Sequence, residues 1–219
     1  LKKPDARKRQ AATDLAMREK GLARLSLAAE ILFEPVKPMV DFGGVQVVLP
    51  PGSFLQATQK AEAAMSALVV AHIGKAKRVV DLFSGCGTFS LRLARLSPVH
   101  AVEFDAPALA ALDHAARHAQ GLKPVSVERR DLLRRPLLPL DLKYTEAAVF
   151  DPPRAGAEAQ CHELAKSKVA RIAAVSCNPV TLARDLEILI AGGFKLTSVT
   201  PIDQFLWSSH VETVALLER

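Results

Sequence analysis

The chain has 219 residues, 29 Lys and Arg against 23 Asp and Glu, a formal net charge of +6, and 49% hydrophobic residues. This length supports a substantial core in one domain, or one domain plus an appendage, and no apolar run has the length of a membrane span. The net positive charge is compatible with a nucleic-acid partner, while nine Phe, one Trp and one Tyr argue against a broad base-stacking platform.

Cys86, Cys161 and Cys177 fit neither a disulfide framework nor a CxxC metal site, so a reducing, cytoplasmic setting without a metal is expected. The start, Leu1-Lys2-Lys3-Pro4-Asp5, lacks the apolar stretch of a signal peptide and has no initiating Met, as a piece of a longer protein would.

Residues 2–24 are the most basic stretch, with Lys2, Lys3, Arg7, Lys8, Arg9, Arg18, Lys20 and Arg24 against Asp5, Asp14 and Glu19. Its alanines and Leu15 permit a helix with a thin apolar face. A solvated helix or frayed terminus is one reading and a phosphate-contacting face the other. Leu25, Leu27, Ile31 and Phe33 predict one strand. Val40 and Phe42 before Gly43-Gly44, with Val45, Val47 and Leu49 after, predict a β-hairpin. Pro50-Pro51-Gly52 suggests a boundary, giving a small segment 1–51 and a main domain 52–219.

Phe54 is expected to staple the following helix, which runs through Ala61, Met65 and Val69, while Gln56 offers a donor and an acceptor near a chain entry. From Lys77 the pattern alternates. Strands are expected at 78–83, 98–104, 125–129 and 147–150, then Ile172 to Val175, Phe194 to Thr200 and Val211 to Leu217. Helices are expected at 89–96, 106–118 and 158–168, and from Pro179 to Ala191. The fold class is therefore α/β, a doubly wound, mostly parallel seven-stranded sheet with one antiparallel partner among the closing strands, preceded by a small N-terminal α+β hairpin segment.

Chemistry is concentrated at strand ends. Asp81-Leu82-Phe83-Ser84-Gly85-Cys86-Gly87 is a glycine-bearing turn lacking the third glycine of a dinucleotide fingerprint. Glu103 could chelate ribose hydroxyls, and Asp131 could accept from an adenine amino group. Each is individually a plain loop acid. Glycine, Glu and Asp in that order suggest a nucleoside site, suited to S-adenosylmethionine at least as well as to NAD. Asp151-Pro152-Pro153-Arg154 is either a rigid turn or a carboxylate facing the cleft. Cys177 lies between a strand and a helix opening at Pro179, where the dipole favours a thiolate, although a free cysteine is more often structural. Glu212, taken alone, reads as a surface strand residue.

Together these residues resemble the S-adenosylmethionine-dependent RNA 5-methyluridine (uracil-C5) methyltransferases of the bacterial 23S rRNA and tRNA type, from about Phe33 to the end. The resemblance rests on Phe54-Leu55-Gln56, the 81–87 turn, Asp151 to Gly156, Val175-Ser176-Cys177-Asn178-Pro179 with Thr181 to Asp185, and Asp203-Gln204-Phe205 with His210-Val211-Glu212. It implies a Rossmann-like methyltransferase domain over 52–219, with 1–51 the remnant of a central domain.

Cys177 is implied as nucleophile, Glu212 as general base and Asp151 as a third catalytic group near the uracil. Gln56, Phe83, Gly85, Gly87, Glu103, Asp131 and Asp151 are implied around S-adenosylmethionine, and Phe54, Asp151, Asn178 and His210 around the RNA base. The expected function is methylation of a uridine at C5, in 23S rRNA rather than tRNA, by a cytoplasmic protein taken by default as a monomer. A noncatalytic RNA-binding fragment is the alternative from another class. A cytosine-5 methyltransferase would place Pro where Ser176 stands, and an amino-group methyltransferase would place an aromatic residue where Arg154 stands. The family usually has Pro and then Thr after the Asp203 motif; here Leu206-Trp207-Ser208-Ser209 intervenes. The RNA-binding β-barrel and cysteine-ligated iron–sulfur cluster that many members carry have no counterpart in these residues.

Overall fold

The computed structural model describes residues 5–27, 30–205 and 207–219; Lys2 and Lys3 of the basic stretch, and Leu206 of the departing loop, lie outside them. Helix α1 (Ala6–Arg18) is capped by Asp5, whose carboxylate accepts the Lys8 N–H at 2.8 Å. Ala16 is its one buried residue, so the helix is solvent-exposed over most of its surface, as both readings of this stretch require. Strands β1 (Leu25–Leu27) and β2 (Glu30–Phe33) pair antiparallel, with Leu25 opposite Phe33. The single strand expected there is two, because the same alternation of apolar residues serves both arms of a pair. Strands β3 (Met39–Asp41) and β4 (Gln46–Val48) form the expected hairpin around Gly43 and Gly44, whose positive φ values of 68° and 83° are what a tight two-residue turn requires. Phe42, Val45 and Val47 are buried in one cluster with Leu91, Leu109 and Leu112.

Helix α2 (Gln59–Ile73) starts at Thr58, which accepts the Ala61 N–H at 3.1 Å. Then follow β5 (Val79–Leu82), α3 (Ser90–Leu93), β6 (Val99–Glu103), α4 (Ala106–His118), β7 (Val125–Arg129), β8 (Ala147–Phe150), α5 (Glu158–Lys166), β9 (Arg171–Ser176), α6 (Pro179–Ala191), β10 (Lys195–Ile202) and β11 (Glu212–Glu218). Helix α3 is far shorter than the 89–96 expected. Past Leu93 the chain tightens into turns, with Leu96 N–H on Leu93 O at 2.9 Å, before Pro98.

The central sheet has seven strands in the order β10-β11-β9-β8-β5-β6-β7. β9, β8, β5, β6 and β7 run parallel, and β11 inserts antiparallel between β9 and β10. All residues of β5 and β8 are buried, as expected of parallel strands covered on both faces. Met65, Val69 and Ile73 of α2 cover one face; Leu164 of α5 and Leu182, Leu186 and Leu189 of α6 cover the other. The chain order reverses between β5 and β8, which places a crevice at their carboxyl ends.

Candidate active site

That crevice is a cavity of about 730 Å³, lined among others by Phe54, Gln56, Phe83, Gly85, Glu103, Asp131, Asp151, Cys177 and Glu212. Nine of the twelve residues singled out from the sequence therefore share one space. The other three do not line it. Gly87 underlies the turn, with φ 101° and a position where a Cβ would meet Leu112 Cδ1 at 2.4 Å. Asn178 caps α6, accepting the Val180 N–H at 3.1 Å and donating to Arg154 O at 3.0 Å. His210 lies 3.3 Å from Arg154 Nη2, with its ring edge-on to Phe205.

The turn after β5 is bent sharply. Phe83 adopts φ 61°, sterically unfavourable for a side chain of that size, and Gly85 follows at φ 53° with open space where a Cβ would point. Gly85 N–H donates to Glu103 Oε2 at 3.0 Å, while Glu103 Oε1 accepts from Phe104 and Asp105 N–H at 2.6 and 2.7 Å. The carboxylate at the end of β6 is thus held rigidly beside the glycine turn. Asp131, beyond β7, is similarly set, its Oδ1 accepting the Leu133 N–H at 3.1 Å. Phe54 is 77% exposed, so it does not staple α2; it stands at the cavity mouth instead.

The loop after β8 carries Asp151 and is fastened from α6. The buried carboxylate of Asp185 accepts the Ala157 N–H at 2.6 Å, Arg184 donates to Ala155 O at 3.0 Å, and Gly156 at φ 80° leaves room for the Arg184 guanidinium. Asn178 and Thr181 both donate to Arg154 O. Thr181, Arg184 and Asp185 therefore place the Asp151 loop against the Cys177 segment.

Burial pushes the Asp151 carboxyl up to about 7, with the charges of Glu212 and Asp81 adding to it. Glu212 is 2% exposed and likewise raised by burial, against which a hydrogen bond from Gln204 acts. This overturns the reading of Glu212 as a surface strand residue: the antiparallel insertion of β11 beside β9 turns its first side chain inward. Cys177, half-buried between β9 and α6, has its thiol raised by burial first and then by Glu212 and Asp151, with Arg154 opposing. Burial and the two acids thus act against the pull of the α6 N-terminus on this thiol.

Sequence reading missed two polar residues of this site. Asp81, 1% exposed on β5, accepts from Ser90 Oγ at 2.5 Å through Oδ2, while its Oδ1 and the nearby Ser84 Oγ have no partner among the described residues; burial lifts its carboxyl to about 7. An acid within an otherwise apolar strand was the signal for it. Gln204 is 6% exposed and bonds both Gln56 and Glu212, and only its place in a quoted motif hinted at it. Among the described residues no helix is long and apolar enough to cross a membrane.

Residues 45–219 match the family model described as tRNA (Uracil-5-)-methyltransferase. An uncharacterized RNA methyltransferase of Rhizobium meliloti is 65% identical over 211 residues, 96% of this chain and 51% of that relative. A 23S rRNA (uracil(1939)-C(5))-methyltransferase of Chromohalobacter salexigens is 36% identical over 77% of this chain and 35% of its own length. Among solved structures, the Pyrococcus abyssi tRNA (uracil-54, C5)-methyltransferase in complex with S-adenosyl-L-homocysteine superposes with a TM-score of 0.73 at 26% identity, over 84% of this chain and 45% of that one. The chain spans about half the length of the first two relatives it matches, 51% and 53%.

Proposed function

Since the chain belongs to the tRNA (uracil-5-)-methyltransferase family, we propose that it is the catalytic part, over residues 52–219, of an enzyme that methylates C5 of a uridine in RNA, with 1–51 the remnant of a central domain. The observation that carries this reading is that Cys177, Glu212 and Asp151, from three different strand ends, open into one cavity. The 23S rRNA is the favoured substrate on the strength of the Chromohalobacter relative, and a reducing cytoplasmic setting suits three free cysteines.

The donor set fits S-adenosylmethionine. Glu103 would accept from vicinal ribose hydroxyls and Asp131 from an exocyclic amine, with Gln56, Phe83, Gly85 and Asp151 lining the same cavity. Ser84 lines that space as well, and among the described residues its buried Oγ has no partner, which leaves a polar atom free for a ligand. When bound, S-adenosylmethionine supplies an electrophilic methyl group on a sulfonium.

The work of the chain is to make C5 of uracil nucleophilic and then to restore the ring. The Cys177 thiolate adds to C6, forming a C–S bond and moving the electron pair of the C5–C6 double bond toward C5 and O4. Once C5 carries the methyl group, the Glu212 carboxylate removes the C5 proton. That C–H pair re-forms the double bond and the sulfur leaves with the C–S pair as a thiolate. Asp151 accepts from N3–H of the base, and Phe54, with Asn178 and His210 near the rim, receives a base taken out of its stack. The Cys177 thiol must lose its proton within an acidic pocket, and Arg154 is the cation beside it.

The test uses the full-length protein, methyl-labelled S-adenosylmethionine, and 23S rRNA and tRNA from cells lacking the gene. The expected product is 5-methyluridine in 23S rRNA, absent with Cys177→Ala. Product confined to tRNA would move the substrate, and 5-methylcytidine or no RNA product would overturn the reaction.

A further inference from the structure

Gln204 lies in the connection between β10 and β11, and its amide orientation is dictated by the backbone. Its Oε1 accepts the Ala57 N–H at 3.0 Å, so its Nε2 must face the other way. The two hydrogens on that nitrogen go to Gln56 Oε1 at 2.8 Å and to Glu212 Oε1 at 3.1 Å. With its oxygen engaged, Gln56 in turn presents its own Nε2 to Asp151 Oδ2 at 3.1 Å. One backbone N–H therefore sets the polarity of a chain of amides joining two carboxyl groups on separate strand ends.

We propose that Gln204 is a positioning residue that orients the Glu212 carboxylate and, through Gln56, couples it to Asp151. The inference rests on the reaction proposed above and names a residue that this reaction does not by itself require. Glu212 is more than nine-tenths buried, and the Gln204 donor is the hydrogen bond that opposes the effect of burial on its proton affinity. The titratable and charged groups around it are Cys177 after β9, Asp151 after β8 with Asp81 of β5 beyond it, and Arg154 with His210 at the rim. Helix α2, packed against β11, contributes His72 at the opposite end of the strand, on Leu217 O. Arg154 is thus the fixed positive charge in this set, and it acts on Cys177. A neutral amide donor that cannot itself titrate favours the carboxylate form of Glu212, the form that acts as a base.

Removing the donor leaves a buried carboxylate short of one charge-assisted hydrogen bond, enough to raise its proton affinity about tenfold or more. The step that suffers is removal of the C5 proton. In the full-length protein, Gln204→Met should therefore accumulate the covalent enzyme–RNA adduct at pH 7, and the pH at which the adduct resolves at half its maximal rate should rise by about one unit. Gln204→Glu keeps an oxygen for the Ala57 N–H but sets a third acid beside Glu212, so it should shift the profile further in the same direction. Binding of S-adenosylhomocysteine, measured by calorimetry, serves as the control for folding.

Adduct resolution in both variants with an unmoved pH profile, or a rate loss equal at every pH, would make Gln204 merely structural and overturn the inference. Loss of S-adenosylhomocysteine binding in both variants would do the same, by showing that the residue serves the pocket as a whole. If the wild-type protein itself forms neither adduct nor methylated RNA, it is the proposed reaction that fails.

Discussion

Replacing Asp81 by Asn should make stability less dependent on pH, in an amount the structure sets. In the folded protein this carboxyl is raised from 3.8 to about 7, because β5 is sealed on both faces. In the unfolded chain it ionises near its ordinary value. Between about pH 4 and 7 the unfolded state therefore gives up a proton that the folded state retains, and stability falls as pH rises through that window, levelling off above it. At about 1.36 kcal/mol per tenfold change in proton affinity, the whole effect is at most about 4 kcal/mol. Asn cannot ionise, although its amide nitrogen takes the place of an oxygen that already lacks a partner, at a cost of about 1–2 kcal/mol at any pH. We expect Asp81→Asn to be slightly less stable than wild type at pH 4 and more stable at pH 8, the gap changing by about 2–4 kcal/mol between them. Urea titrations at four pH values would measure this. Stability curves for the two proteins that run parallel with pH would refute the reasoning.

Cys177 should alkylate with iodoacetamide ahead of the buried Cys86 and Cys161, and its rate should still be climbing above pH 9, because burial and two acids hold the thiol above the ordinary range. A plateau below pH 8 would contradict this, and Glu212→Gln should bring the profile down. Gly87→Ala should cost about 2–4 kcal/mol in urea denaturation, since its Cβ would lie 2.4 Å from Leu112 Cδ1 at φ 101°. Gly85→Ala, with open space around it and φ 53°, should cost only about 1 kcal/mol of backbone strain, and equal losses would undo the distinction.

How far the sequence carried is clearest strand by strand. β7 and β8 and helices α4 and α6 were legible to the residue: β8 is the continuous apolar run of a buried parallel strand, β7 alternates as an edge strand does, and α6 opens on Asn178 and Pro179. The β1–β2 pair was not, since period-two alternation is the same for one strand as for two. Helix α3 was overextended because an apolar pattern does not reveal a tightening into turns before Pro98. Within the site, motif order located Cys177, Asp151 and Glu212, but not their electrostatics. The dipole of α6 is visible in the sequence, whereas the crowding of Glu212, Asp151 and Cys177 depends on β11 inserting beside β9. Asp81 and Gln204 escaped for a related reason: a buried polar residue is informative only once its partners are known. Asn178 and Thr181 proved to be fasteners of the Asp151 loop, a role that needs contact across two strand ends.

The central claim is that one sulfur bonds the uracil ring while one buried acid releases it. The direct measurement is mass spectrometry of full-length Glu212→Gln after incubation with S-adenosylmethionine and substrate RNA, followed by digestion with nuclease and protease. The account predicts a peptide containing Cys177 that carries a methylated uridine, and no such peptide from Cys177→Ala. Free 5-methyluridine formed at the wild-type rate with no Cys177-linked nucleotide, or a nucleotide linked to another residue, would contradict it.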